Sequence, residues 1–134
     1  MKTQLLVIGA GAAGLMAAGT AAGSGVDTIL LERNDRPARK VMITGKGRCN
    51  VTNACPSLQD LIANVPVNGR FLYSAFSRFM PSDTVDFFES RGVPLKKERG
   101  SRVFPVSDKA VDIVDCLVSF AEKSGVHIVM MNLY

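Results

Sequence analysis

Gly9, Gly11 and Gly14 stand in the spacing Gly-x-Gly-x-x-Gly, between an apolar run and an alanine-rich stretch. Glycines so spaced bring a backbone against an anion. The first permits a tight turn, the second leaves room for a pyrophosphate, and the third lets a helix lie close on a strand. Ala12 and Ala13 fall in the first helical turn, whose N–H groups lack partners within the helix and sit at the positive end of its dipole. Glu32 closes the next apolar run, where a carboxylate can accept hydrogen bonds from ribose hydroxyls and so favours an unphosphorylated ribose. Arg33 beside it is a counter-signal, since an arginine there can read a 2′-phosphate or lie over the adenine. The residues support dinucleotide binding; the structural alternative is a glycine-rich turn that binds nothing.

A second glycine-rich and basic loop follows, "TGKGRCNVTN" from Thr44 to Asn53. Gly45 and Gly47 permit close backbone approach. Lys46 and Arg48 can bring positive charge to a pyrophosphate or to a reduced flavin ring. Thr44, Asn50 and Asn53 are hydrogen-bonding and turn-forming residues. FAD and NAD sites share the first loop, so it cannot choose between them. The long interval from Glu32 to Val126, with this loop inside it, favours an extended FAD. Cys49 reads either as a redox partner of a flavin, with Cys55 nearby, or as a small loop-packing residue. Cys116 and His127 read as structural. No residue stands out as a catalytic acid or base, and Tyr73 and Tyr134 have no companions suggesting one.

The segments "VIGAGAAGLMAA", "LLERN", "RKVMITGKGRCNVTN" and "RVFPVSDKAVDIVDCL" together resemble the BaiN/RdsA (YhiN-like, aminoacetone-oxidase-like) family of bacterial FAD-dependent oxidoreductases. The resemblance implies a flavoprotein fold with FAD held by Gly9, Gly11, Gly14 and Glu32, and with Thr44 to Asn50 against the flavin. It also implies NAD(P)H as electron donor and a small-molecule substrate. "RVFPVSDKA" matches a family segment to which no role is assigned. Members of the family are much longer, so the chain is expected to be the N-terminal FAD/NAD(P)-binding part, one domain over residues 1–134. Surface left uncovered is then expected to drive self-association. Three rivals stay open: an NAD(P)-binding dehydrogenase module, a truncated, non-catalytic fragment that only oligomerises, and a flavin-dependent tRNA-modifying enzyme.

The elements that must position these loops are legible in outline. Thr3 to Ile8 reads as a buried strand and Ala12 to Ser24 as a helix closed by Gly25. Asp27 to Glu32 is a second strand, which completes a βαβ unit. Beyond it, Pro37 to Ile43 reads as a short helix and Thr44 to Pro56 as a loop. Asn68 to Phe79 and Pro81 to Arg91 read as helices with Phe71, Phe76, Phe79, Phe87 and Phe88 in the core. Val93 to Val106 reads as a hairpin turning at "RGSR". Ser107 opens a long helix with Ala110, Val111, Val114, Leu117, Val118 and Ala121 inward and Gly125 as its stop, followed by a strand from Val126 to Met131. The expected class is α/β, a Rossmann-like, three-layer FAD-binding domain around a parallel sheet with a βαβ start, incomplete relative to a full-length flavoprotein.

Bulk properties narrow the rest. With 134 residues, 47% of them hydrophobic, the chain can bury a core and is not disordered. A net charge of +4, with no aromatics among the basic residues from Arg33 to Arg48, gives little support to nucleic-acid binding. Three cysteines without a CxxC and a single histidine disfavour disulfides and a metal site, and point to a reducing cytoplasm. The uncharged run from Leu5 to Val26, with its Gly19/Gly23 pair, matches the glycine-loop pattern better than a membrane span.

Overall fold

The computed structural model describes residues 1–132; Tyr134 lies outside them. Its centre is a three-stranded parallel sheet of β1 (Leu5–Ile8), β2 (Thr28–Glu32) and β6 (His127–Met130), in the order β1-β2-β6. Leu5 pairs with Thr28 and Ile8 with Leu31; on the other side Ile29 pairs with His127 and Glu32 with Met130. Ile29, Leu30 and Leu31 therefore have strand on both sides.

Alternation along the strands fixes which face is buried. Val7, Leu30 and Ile128 face α1 (Ala12–Gly23) and pack with Leu15 and Ala18. The late helix α6 (Ala110–Ser124) closes this layer with Ile113, Val114, Leu117 and Ala121. The helices approach closely because α1 is lined by small residues: a Cβ on Gly19 would stand 2.3 Å from the Phe120 ring. The Gly19/Gly23 pair thus serves α1–α6 packing, and no helix of the described residues is long and apolar enough to cross a membrane. The opposite face is bare where β1 lies, with Leu6 49% and Ile8 81% exposed. The expectation of a buried first strand is corrected: β1 is an edge strand with one covered face.

Between β2 and α6 the chain builds a smaller unit. It runs through α2 (Arg39–Ile43), a tight turn at Thr44–Gly47, β3 (Thr52–Asn53), α3 (Leu58–Ala63), α4 (Tyr73–Arg78), α5 (Pro81–Glu89), β4 (Leu95–Glu98) and β5 (Arg102–Pro105). The last two form the expected hairpin, and β3 adds antiparallel to β5, giving the order β3-β5-β4. Neither β3 nor α3 was expected, though Ser57 accepts the Asp60 N–H at 3.2 Å and is the usual signal of a helix start. The single helix read from Asn68 to Phe79 is instead a 3-10 turn at Gly69–Leu72 followed by α4. Phe71, 87% exposed, and Phe79, 44% exposed, are not core, whereas Phe88 is buried. α6 starts at Ala110 rather than Ser107, leaves Val111 exposed, and stops at a left-handed Gly125 as expected.

The tightest constraint lies where α1 leaves β1. A Cβ on Gly14 would stand 1.8 Å from the carbonyl oxygen of Gly9 and 3.0 Å from its carbon. Backbone cannot swing aside as a side chain can, so Gly14→Ala is expected to lower stability by about 3 kcal/mol. Gly11, at φ −79°, has nothing within 4 Å of its Cβ position. Gly11→Ala should therefore cost about 1 kcal/mol or less, the scale of a helix N-cap change. Urea midpoints check the contrast; equal losses would mean that α1 does not pack this closely on β1.

Candidate functional site

The first loop is held from both ends of its peptides. Gly9 N–H donates to the Leu31 carbonyl at 2.7 Å, and Ala10 N–H donates to Glu32 Oε2 at 2.8 Å. The Ala10 carbonyl in turn accepts the Ala38 N–H at 2.7 Å, which ties the loop to the start of α2. Ala10 is fully buried, while Gly11, Ala12 and Ala13 are exposed. Gly11 caps α1 without a side-chain hydrogen bond, and the first turn carries no acidic residue. The first-turn N–H groups are thus left to solvent or to an anion.

Glu32 is 6% exposed at the C-terminal end of the central strand. Besides Ala10, its carboxylate accepts from the Asn34 N–H at 2.9 Å and Asn34 Nδ2 at 2.6 Å, both at Oε1. Burial alone raises a carboxyl pKa. Here the Asn34 and Ala10 N–H groups, the Asn34 amide and the charge of Arg33 outweigh it, and the pKa is lowered. Of about four acceptor positions on a carboxylate, three are taken, which leaves one on Oε2 for a further donor, such as the ribose hydroxyls expected from the sequence. Glu32 also faces a cavity of about 550 Å³ shared with Gly9, Gly11, the exposed Arg33, Ala38, Arg39 and Lys40. Asn34, Ala38 and this Arg39–Lys40 flank escaped the sequence reading; only the local density of basic residues hinted at them.

The second loop lies on the other side of the α1 N-terminus. Thr44, Cys49, Asn50 and Val51 share a largely apolar cavity of about 360 Å³ with Ala12, Ala13 and Met16. The backbone is strained: Gly45, Lys46, Gly47 and Cys49 all have positive φ. At Gly45 a Cβ would stand 2.8 Å from the Asn50 nitrogen, so only glycine fits. Of the motif's side chains only Cys49 is buried; Thr44, Lys46, Asn50 and Asn53 are exposed, and Arg48, Val51 and Thr52 are half-buried. Cys49 is 5% exposed, and burial, against a hydrogen bond to Thr44, raises its pKa, so it is a protonated thiol at neutral pH and a poor nucleophile. Cys55 is likewise an unpaired thiol. The Asn50 amide, with Nδ2 assigned as the donor its surroundings require, reaches the carbonyls of Thr52 at 3.1 Å and Val103 at 3.3 Å. Val51 N–H donates to the Val103 carbonyl at 2.8 Å, and Asn53 Nδ2 to Gly100 at 3.0 Å.

Arg48 departs most from expectation. Its guanidinium pairs with Glu98 and with Asp108 at 2.8 Å and lies 4.0 Å from the centre of the Phe104 ring. The hydrogen bonds that it donates to Glu98 and then to Asp108 raise its pKa. Its charge is compensated within the protein, which leaves Lys46 as the exposed cation of the loop. Among the described residues no group of His, Cys, Asp or Glu is arranged to hold a metal.

Comparison with known proteins gives a consistent picture. The family described as HI0933-like protein Rossmann domain matches residues 3–133. The chain is 34% identical over 125 residues to the ribosomal RNA dihydrouridine synthase of Escherichia coli, covering 93% of this chain and 30% of that protein. It is also 34% identical over 113 residues to the 3-dehydro-bile acid delta(4,6)-reductase of Clostridium scindens, covering 83% of this chain and 27% of that protein. The chain thus spans about a third or less of these relatives. Among solved structures, a flavocytochrome c3 fumarate reductase superposes with a TM-score of 0.71 at 23% identity, over 96% of this chain and 26% of that one. A 3-ketosteroid dehydrogenase of Rhodococcus jostii superposes with a TM-score of 0.70 at 17% identity, over 96% and 38%. At such identities these two show the fold.

Because Glu32 holds the loop as well as facing the cavity, its removal cannot leave stability untouched, even in a protein that binds nothing. Glu32→Gln is expected to cost about 1–3 kcal/mol at neutral pH, the range for disturbing a buried hydrogen-bonded group. The lowered pKa sets the sign of the pH effect. The contribution of Glu32 is full above its unfolded value, about 4.3, and is lost as pH falls through the lower folded value. Urea midpoints of wild type and Glu32→Gln should therefore converge on acidification below about pH 4; a constant gap would show that the carboxylate charge is not what holds Ala10.

Proposed function

The chain belongs to the HI0933-like Rossmann-domain family, and on that premise we propose that it holds FAD across both glycine loops, as part of an oxidoreductase. The adenosine ribose would meet Glu32 in the cavity beside Arg33, Arg39 and Lys40. The pyrophosphate would lie over Gly9 to Gly14, against the N–H groups of Ala12 and Ala13. The flavin end would run toward Thr44–Asn50, where Gly47 has nothing within 4 Å of its Cβ position.

Gly11 carries the reading. The fold has no steric need of a glycine there, since a Cβ would meet no protein atom, yet the position caps an open helix between the Glu32 cavity and the second loop. A ligand approaching the backbone does need it. When bound, FAD supplies hydride chemistry, with NAD(P)H as donor of reducing equivalents. The two relatives at 34% identity carry names that share one reaction type, reduction of a carbon–carbon double bond conjugated to a carbonyl, in uridine or in a dehydro-bile acid. We extend that substrate class to the intact protein. The buried, protonated Cys49 is not suited to a thiol–flavin role and serves packing.

The absorption spectrum of the purified chain, before and after incubation with FAD and desalting, tests this. Wild type should retain the two flavin bands. Gly11→Ala should weaken FAD binding by about ten- to a hundredfold, the equivalent of one or two charge-assisted hydrogen bonds, with an unchanged far-ultraviolet circular dichroism spectrum. Equal retention by wild type and variant would show that the pyrophosphate does not lie on this loop.

A further inference from the structure

The segment Arg102 to Ala110, to which the resemblance attached no role, lies directly beneath the second loop. Phe104, 2% exposed, touches both halves of that loop. Its ring centre is 4.0 Å from Arg48 Cζ, and its edge is 3.1 Å from where a Cβ on Gly45 would stand. Asp108 accepts from Arg48 Nε at 2.8 Å and from Lys96 Nζ at 2.8 Å. Glu98 accepts from Arg48 Nη2 and lies 3.5 Å from Lys96. Two cations and two anions thus close a ring that spans the loop, β4 and the turn after β5. Their charges cancel in pairs, so the network delivers orientation and not net charge.

We infer that Arg48 is a positioning residue: with Phe104, Glu98 and Asp108 it locks Thr44–Gly47 in the conformation that meets the flavin end of FAD. This rests on the second loop being part of the cofactor site. Consecutive left-handed residues at Gly45 and Lys46, with a left-handed Cys49 beyond, persist only where surroundings over-determine them. The planar guanidinium suits this work, since it stacks on a ring and binds two carboxylates at fixed angles, which an ammonium cannot do. A loop ordered beforehand loses less entropy when the ligand arrives. Lys46, exposed at the tip, is left to supply any charge that the ligand meets.

Arg48→Lys and the double variant Glu98→Gln/Asp108→Asn separate position from charge. Asn suits the left-handed backbone of Asp108, at φ 58°, so the double variant removes charge with little backbone cost. Affinities for FAD, which reaches both loops, and for ADP, which reaches only the first, are measured for each. Positioning predicts FAD binding weaker by about tenfold in both variants, as for one lost charge-assisted interaction, with ADP binding unchanged. A direct charge contact predicts the opposite: Arg48→Lys keeps its affinity, and the double variant, with Arg48 unmasked, binds FAD more tightly. Parallel losses for ADP and FAD would show a general structural role; each of these results overturns the inference. Amide hydrogen exchange gives a readout that needs no ligand. Residues 44–50 should exchange faster in Arg48→Lys while β1, β2 and β6 do not, and unchanged protection would overturn the inference. If wild type binds neither ADP nor FAD, it is the cofactor reading that fails, while exchange still decides whether Arg48 positions the loop.

Discussion

A carboxylate buried at the end of the central strand must find hydrogen-bond donors, and much of this molecule is arranged around how Glu32 finds them. Taking a charge out of water is costly unless it is bonded. The Ala10 N–H, the Asn34 N–H and the Asn34 amide meet that need. In doing so they fix the first glycine loop to β2 and the turn after β2 to the same point. The Glu32 carbonyl accepts the Met131 N–H at 2.7 Å, so the end of β6 is anchored there too. Gly14 completes the junction by letting α1 descend onto Gly9, where any side chain would strike backbone. The loop is thereby rigid before a ligand arrives, with its open side toward solvent.

The second loop solves a different problem. Its backbone is strained, and side-chain bonds and contacts to the rest of the protein hold the strain. Cys49 enters the core cluster, Asn50 and Val51 bond to β5, and Arg48 is clamped over Phe104. The outward surface carries Thr44, Lys46 and Asn50 beside the glycine backbone. A loop whose polar side chains bond to the protein reads misleadingly in one dimension, because those residues look like ligand contacts.

That difference explains which parts of the fold were legible. The βαβ unit was readable because each requirement is local: branched apolar runs, glycines at fixed spacing, an acidic strand end, Gly125 at a left-handed helix stop. Periodicity could not tell that β1 is covered on one face only, since Leu6 and Ile8 look the same whatever packs on them. Phe71 and Phe79 misled for the same reason, as hydrophobicity was read as burial. The α3 start is present in the sequence as Ser57 followed by Asp60, but the helix behind it is short. The Arg48 network was beyond reach, because its partners Glu98 and Asp108 are remote in sequence and brought near only by the β3-β5-β4 sheet. Asn34 as the partner of Glu32 was equally invisible, since nothing in a short polar residue announces which carboxylate it serves.

One dinucleotide spanning both loops is the central claim, and an amide-resolved NMR titration tests it most directly. Adding ADP should shift the amides of Gly9 to Gly14, Glu32 and Asn34, and FAD should shift these and the amides of Gly45 to Asn50 as well. Shifts confined to the first loop with both ligands would contradict the claim that the second loop meets the flavin. Absence of shifts at the first loop would contradict the site altogether.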